Sequence, residues 1–319
     1  MAASLHSVEN SIIPLMEKTV RLDDVDFSKY TTAQGKEIQE AVSHLDEKIR
    51  VVSFNILFDL YDHNLDEQNR WPARKERVFQ MFKDLNADIV GVQEVYSNQL
   101  GDMMEALSDQ YEFFGSPCKD GEINGIFYKK ERFTLEDLQI WYLSKTDPNN
   151  ISASSLTMIK LTDKINGKAF AVFNAHLAFS NIDKRDMQAR LIREHLESYR
   201  SFPIVLTGDF NTFPNRLDLV KLPFYDGDYI ERVLKGDQLE DARNVSLLGH
   251  LGPYSTFTND GTNTEPFQGT GTPGIFLDHI FISQEVQVLL HAVNPGLVEG
   301  CFPSDHMPVV ADLIIRPGS

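Results

Sequence analysis

At 319 residues and 42% hydrophobic side chains, the chain can bury one large core or two half-sheets packed together. Its 30 Lys and Arg against 47 Asp and Glu give a formal charge of −17, which opposes a grip on long duplex nucleic acid through many phosphate contacts. No run nears the roughly 20 apolar residues that span a bilayer, residues 1–21 hold no long apolar export segment, and Cys118 and Cys301 make no disulfide framework, so a cytoplasmic protein without a transmembrane segment is expected.

Taken in chain order, residues 34–48 place Ile38, Val42 and Leu45 at helical spacing and predict a short amphipathic helix. An apolar strand over 50–55 follows and ends in Asn55. Residues 71–86 put Val78, Phe82 and Leu85 on one helical face, with Pro72 in the first turn. A second strand, 88–94, ends in Gln93 and Glu94. Ser97 is expected to cap a helix that turns Leu100, Met104 and Leu107 inward.

Further along, residues 169–176 read as a strand ending in Asn174 and His176. The stretch 183–199 reads as a helix with Met187, Leu191, His195 and Tyr199 along one stripe. His195 there is an ordinary helix residue rather than a ligand. The apolar run 203–207 then delivers Asp209 and Asn211 to a loop, and an extended chain would point both the same way. Residues 276–282 carry Asp278 near their start, and 302–306 set Ser304, Asp305 and His306 before a last strand, 308–315. Strands interleaved with helices predict α/β or α+β layering.

Polar groups that cannot help a core thus recur at strand ends, which predicts one rim where those ends converge. The set is oxygen-rich. Glu94, Asp209, Asp278 and Asp305 are carboxylates, and Asn55 and Asn211 are carboxamides. Hard donors of this kind suit Mg²⁺ or Mn²⁺ with bound waters and substrate phosphate. His176 and His306 can donate to phosphate oxygens or move protons. No His-Glu-x-x-His or Cys-x-x-Cys pattern supports zinc.

Weaker signals are read blandly. Gly269, Gly271 and Gly274 fit G-x-G-x-x-G, but Pro273 interrupts and a strand-like run follows, so a loop beside Asp278 is expected rather than a dinucleotide site. Phe267 before it is an aromatic able to stack on a base. The sequons at Asn150 and Asn244 are taken as chance matches. Three basic groups are read as solvated faces: Arg70, Arg74, Lys75 and Arg77; Lys129, Lys130 and Arg132; Lys184, Arg185, Arg190 and Arg193.

The ordered set Asn55, Gln93-Glu94, Asn174 and His176, Gly208-Asp209 and Asn211, Leu277-Asp278 and Ser304-Asp305-His306 resembles the endonuclease/exonuclease/phosphatase superfamily over about residues 49 to 316. Asn69-Arg70-Trp71 with Arg74-Lys75, residues 125–130, Trp141-Tyr142-Leu143-Ser144 and residues 303–313 resemble a mainly bacterial branch, and Pro303 to His306 also resembles the deadenylases. Relatives often have Tyr where this chain has His279, and an Arg somewhere in 156–160. The Trp-Cys-Asp-Arg signature of inositol 5-phosphatases is absent.

The resemblance implies a deoxyribonuclease I-like α+β fold, a four-layer αββα sandwich of two packed mixed β-sheets. Residues 1–48 would be a partly helical N-terminal extension and 49–316 the catalytic domain. It implies a Mg²⁺- or Mn²⁺-dependent phosphoesterase with in-line attack of water. Glu94 would bind metal, with Asn55 beside it and Asp305 at an adjacent position. Asp209 would orient or deprotonate the water, and Asn211 would fix water and phosphate. His306 would meet a non-bridging oxygen, with Asp278 setting its tautomer, and His176 would be a second phosphate-facing imidazole. The acidic charge favours a small or single-stranded nucleic acid or nucleotide as substrate. The alternatives are a phospholipid or phosphoinositide phosphohydrolase, and, in another class, a catalytically inactive binding module.

Overall fold

The helices and strands come from alternating apolar patterns that fill both faces of two sheets. A computed structural model describes residues 26–144, 154–212, 225–258, 275–294, 296–298 and 301–316. The loop around Gly269 to Gly274, Phe267, the sequon at Asn150 and residues 1–25 of the N-terminal extension lie outside the described residues. The strands are β1 (Ile49–Asn55), β2 (Ile89–Val95), β3 (Tyr111–Phe114), β4 (Ile123–Lys129), β5 (Phe133–Tyr142), β6 (Ser155–Asp163), β7 (Ala169–His176), β8 (Ile204–Asp209), β9 (Leu239–Asp241), β10 (His250–Leu251), β11 (Asp278–Ser283), β12 (Val286–Val293) and β13 (Val309–Ile315). The helices are α1 (Thr32–Ser43), α2 (Trp71–Leu85), α3 (Ser97–Leu107), α4 (Ile182–Glu197), α5 (Tyr229–Lys235) and α6 (Ala242–Val245).

Among the described residues the strands form a seven-stranded sheet, β10-β12-β13-β1-β2-β4-β3, and a six-stranded sheet, β5-β6-β7-β8-β11-β9. Strand alternation divides their side chains between layers. Val51 and Ile89 join Val172, Val205 and Ile280 in the core between the sheets. Val52, Val90 and Val92 face outward onto Val78 and Phe82 of α2 and Met103 and Leu107 of α3. On the far side, Met158, Phe173 and Leu206 pack on Ile192 and Leu196 of α4 and Ile230 of α5. Each such side chain, fully buried, contributes about 1.5–3 kcal/mol. The result is the expected αββα sandwich of two mixed sheets.

Several local expectations shift, the first helix by five residues at its C-terminal end. α1 starts at Thr32 because Thr31 and Gln34 form a reciprocal capping box, and it ends at Ser43, leaving Leu45 in a 3₁₀ turn. Ser97 is the first residue of α3 and not its cap. Tyr96 occupies that position, its N–H donating to Gln99 Oε1 at 3.1 Å. The buried stripe of α4 is Arg185, Ala189, Ile192 and Leu196, and the expected stripe lies on its shoulder. His195 there stacks on Trp141, with ring centroids 4.4 Å apart. The basic groups read as solvated faces are partly internal. Arg74 and Arg185 are buried, and Arg185 pairs with Asp226 at 3.1 Å. Arg132 binds Asp88 and Asp163, each at 2.9 Å.

The topology explains why catalytic-looking residues sit at some strand ends and some strand starts. β1 and β2 pair in parallel through the α2 crossover, and β7 and β8 pair in parallel through α4. Their C-terminal ends, carrying Asn55, Glu94, His176 and Asp209, therefore open on the same side. β11 and β13 run antiparallel to β8 and β1. It is their beginnings that arrive there, with Asp278 opposite Asp209 and the 304–306 segment entering beside Asn55. One edge of the sandwich thus collects Asn55, Glu94, His176, Asp209, Asp278 and the 304–306 segment.

Candidate active site

Beneath that edge lies a layer of buried carboxamides and hydroxyls between the sheets. Gln93 donates to Asn174 Oδ1 at 2.6 Å, Thr207 Oγ1 donates to the same oxygen at 3.0 Å, and Asn174 donates to the carbonyls of Val92 and Gly125. Asn174, part of the expected motif, is fully buried and braces the two sheets. Above it the chain departs from strand geometry. β2 shifts register between Val92 and Val95, and Glu94 has a φ of 59°. Asn211 has a φ of 50°. Left-handed backbone at a non-glycine residue costs on the order of 1–3 kcal/mol and persists only where surroundings enforce it.

The extended geometry expected for Asp209 and Asn211 does not persist. The chain turns at Phe210, and the Asn211 N–H donates to Asp209 Oδ1 at 3.0 Å, an Asx-type turn. Both side chains still reach the site by this route. Asn211 Nδ2 donates to the Leu177 carbonyl at 2.9 Å and lies 3.1 Å from His176 Nε2.

Asn55 ties the carboxylates together. Its Nδ2 lies 2.9 Å from Glu94 Oε1 and 3.1 Å from Asp209 Oδ2, while its Oδ1 accepts from the Leu57 N–H at 3.0 Å. His176 Nε2 is 3.5 Å from Asp209 Oδ2 and 4.0 Å from Glu94 Oε1. Opposite it, His306 Nε2 is 3.6 Å from Asp209 Oδ2, and His306 Nδ1 is 2.8 Å from Asp278 Oδ2. Asp209 therefore sits between two imidazoles, each backed by a carboxylate. The backing of His176 is Glu122, 2.8 Å from its Nδ1.

Burial opposes charge on both imidazoles, yet their carboxylate neighbours prevail. His306 is raised well above its ordinary value by Asp278 and Asp209. His176 is raised to about 10 by Glu122, Asp209 and Glu94. Burial likewise pushes Glu94 up to about 7, against the pull of His176. It raises Asp209 too, helped by the charge of Asp278. Crowded carboxylates held above their usual range are the electrostatic setting in which a divalent cation is favourable.

Among the described residues, two groups of ligand-capable atoms each lie within 4.8 Å of one another, Glu94 with His176 and Asp209, and Asp209 with Asp278 and His306. Asp278 Oδ1 is buried with no hydrogen-bond partner among the described residues. Asp305 lines the same cleft, its carboxylate accepting from Ser304 Oγ at 3.3 Å. The donor set fits a hard divalent ion. The cleft itself has a volume of about 620 Å³, and Phe58, Phe179 and Phe257 are among its walls. Phe179 is 50% exposed.

All eight site residues named from the sequence come together here. Glu122 and the phenylalanine walls were missed, since a Glu before an apolar strand and scattered aromatics carry no spacing signal. His279 is buried, its Nδ1 2.8 Å from Asp241 Oδ2.

The model of the Endonuclease/Exonuclease/phosphatase family matches residues 52–306, and the chain belongs to this family. It is similar to Protein angel of Drosophila melanogaster, 25% identical over 226 residues, covering 64% of this chain and 63% of that protein. It is also similar to the probable CCR4-Not complex 3'-5'-exoribonuclease subunit Ccr4 of Enterocytozoon bieneusi, 26% identical over 333 residues, covering 85% of this chain and 66% of that protein. The chain thus spans somewhat under two thirds of the length of these curated relatives. The crystal structure of the endonuclease/exonuclease/phosphatase from Bacteroides vulgatus superposes with a TM-score of 0.70 at 26% identity, covering 84% of this chain and 99% of that one. Family and fold place the ligand-capable clusters at one edge of an endonuclease/exonuclease/phosphatase scaffold.

Proposed function

We propose that the chain hydrolyses a phosphoester in a single-stranded nucleic acid or a nucleotide, with Mg²⁺ or Mn²⁺, by in-line attack of water. The observation that carries this reading is Asp209 flanked by two carboxylate-backed imidazoles with Glu94 alongside. Glu94 is the principal metal ligand, with Asn55 orienting it and Asp305 adjacent. A bound divalent ion there supplies Lewis-acid polarisation of the phosphoryl oxygen and neutralises charge.

Asp209 orients and deprotonates the attacking water. Its raised pKa brings it nearer the range where a general base works best. His306 and His176, held protonated by their carboxylates, donate to non-bridging oxygens as negative charge builds in the transition state. Asn211 fixes the water and phosphate beside His176.

The substrate class is supported by three features. The formal charge of −17 disfavours long duplex. Aromatic walls beside the phosphate centre suit stacking of an unpaired base. A relative of which the chain covers 66% carries the name of a probable exoribonuclease subunit.

The test is a hydrolysis screen with Mg²⁺ or Mn²⁺ against single-stranded RNA and DNA, abasic duplex, bis(p-nitrophenyl) phosphate, phosphoinositides and sphingomyelin. Turnover of the single-stranded substrates is expected, lost in EDTA and reduced more than about a hundredfold in Glu94→Gln. Activity that survives EDTA, or near-normal turnover of Glu94→Gln, would sink the metal mechanism. Preference for the lipids would sink the substrate assignment.

A further inference from the structure

Arg74 on α2 is 1% exposed, and it is a cation used in an unusual way. Its Nη1 donates to the carbonyls of Ile56 and Pro303, the latter at 3.2 Å, and its Nη2 donates to the carbonyl of Leu57. Its Nε is buried without a partner, and the guanidinium lies 5.1 Å from the Trp71 ring. Among the described residues no carboxylate forms an ion pair with it. Its direct acceptors are carbonyls, and burial outweighs the pull of the Asp62, Asp305 and Glu94 charges on it. Burying such a charge is costly, and an apolar side chain of similar volume would fill the space more cheaply. The planar fork is what the position uses.

The three carbonyls belong to two separate segments. Ile56 and Leu57 form the exit of β1, directly after Asn55. Pro303 begins the turn that carries Ser304, Asp305 and His306 into β13. Leu57 holds a φ of 60°, and its N–H occupies Asn55 Oδ1. That hydrogen bond leaves Asn55 Nδ2 for Glu94 and Asp209. Gln99 adds a second donor to the Leu57 carbonyl at 2.9 Å. The two segments meet again where Ser304 Oγ donates to the Asn55 carbonyl at 2.7 Å.

We propose that Arg74 is a positioning residue for hydrolysis, a strut that holds the β1 exit and the 303–306 turn in register so that Asn55, Asp305 and His306 face one phosphate. The inference rests on the hydrolytic reading above. A lysine cannot reproduce it, because one ammonium on a flexible stem cannot reach carbonyls on both segments in a fixed plane.

The experiment compares wild type, Arg74→Lys, Ser304→Ala and the double variant, with Mn²⁺ and bis(p-nitrophenyl) phosphate. Turnover is expressed per folded molecule, from unfolding curves on the same samples. Arg74→Lys should lose at least about tenfold in kcat with KM changed by less than about threefold, as expected when reacting groups are misplaced rather than binding lost. Ser304→Ala should cost less in the Arg74→Lys background than alone, because both side chains tie the same two segments. Arg74→Gln, neutral and shorter, serves as the second variant if the lysine form does not fold, with the same expectation.

A kcat within about twofold of wild type, a loss that vanishes on correction for folded fraction, or losses that simply multiply would each overturn the proposal. Wild-type protein that hydrolyses no phosphoester in the screen refutes the hydrolytic reading instead, before any Arg74 variant is compared.

Discussion

Glu122, the residue just before β4, lies 2.8 Å from Nδ1 of His176, whose Nε2 faces Asp209 across 3.5 Å. The arrangement mirrors His306, backed by Asp278 on the opposite side of Asp209. Burial alone would lower the His176 pKa, and Glu122 is the largest influence in the other direction, the net result being about 10. Glu122→Gln removes that charge at nearly constant shape. The His176 pKa should then fall by at least about one unit, and activity should lose its alkaline limb at lower pH. Proton NMR titration of the imidazole, assigned with a His176→Gln variant, measures this directly. An unchanged titration would show that Glu122 does not control the protonation of His176.

Metal binding should release a proton in acid and none in base. Burial holds Glu94 at about 7, so below that pH the metal-free carboxyl is protonated and must ionise to bind a cation. Calorimetry of Mn²⁺ binding in buffers of different ionisation enthalpy should show about one proton released near pH 5.5, tending to zero above about pH 8. The sign for stability follows from the same shift. The folded state binds more protons than the unfolded state between 4.5 and about 7, so the contribution of Glu94 is fully present below 4.5 and is lost as pH rises through 7. Added Mn²⁺ should restore stability most at the alkaline end of that window. Affinity independent of pH from 5.5 to 8 would contradict this account.

His306 and Asp278 should act as one unit. Their separation is 2.8 Å, and Asp278 is the leading cause that raises the imidazole against its burial. Asp278→Asn should lower activity and move the pH optimum downward, since the protonated imidazole is lost sooner as pH rises. Combined with His306→Ala it should cost little more than His306→Ala alone, because members of one functional pair are not additive. Multiplicative losses in kcat/KM would mean independent roles.

Gly91 on β2 faces Asn174 of β7 and Thr207 of β8 in the second sheet. A Cβ there would stand 2.1 Å from Thr207 Oγ1 and 2.7 Å from Asn174 Oδ1. Gly91→Ala must therefore push the sheets apart or break the carboxamide layer, at a cost of about 1–3 kcal/mol. Urea unfolding should show a lower midpoint, and Thr207→Ala in the same background should recover part of it. A midpoint equal to wild type would mean that the layer gives way more easily than its packing implies.

Much of the site was legible in the sequence. Asn55, Glu94, His176, Asp209, Asn211, Asp278, Asp305 and His306 stand out because polar side chains at the ends of apolar runs have no use in a core. Six of the thirteen strands among the described residues (β1, β2, β7, β8, β11 and β13) were placed to within about two residues, since Val-Ile-Phe alternation and flanking turn residues are local signals; the other seven were not foreseen. α2 was placed within a residue and its buried face of Val78, Phe82 and Leu85 is as expected, whereas α1 ends five residues before its expected end, α5 and α6 were not foreseen, and the buried face of α4 was misplaced. The expected stripe of α4 missed Arg185, which is buried against Asp226, and a basic residue is assigned to solvent by any periodicity argument. Arg74 was read as surface charge for the same reason.

What the sequence determined by itself is the inventory: apolar strands interleaved with helices, an oxygen-rich donor set, and a formal charge of −17. What only the tertiary structure decided is who faces whom. Parallel pairing of β1 with β2 and β7 with β8, against antiparallel entry of β11 and β13, brings strand ends and strand starts to one rim. Residues 33 to 249 positions apart then meet, His176 through Glu122 and Asn55 through Ser304 among them. Such contacts leave no local trace, because a side chain's propensity depends on its own few neighbours whereas its partner is chosen by how the sheets stack.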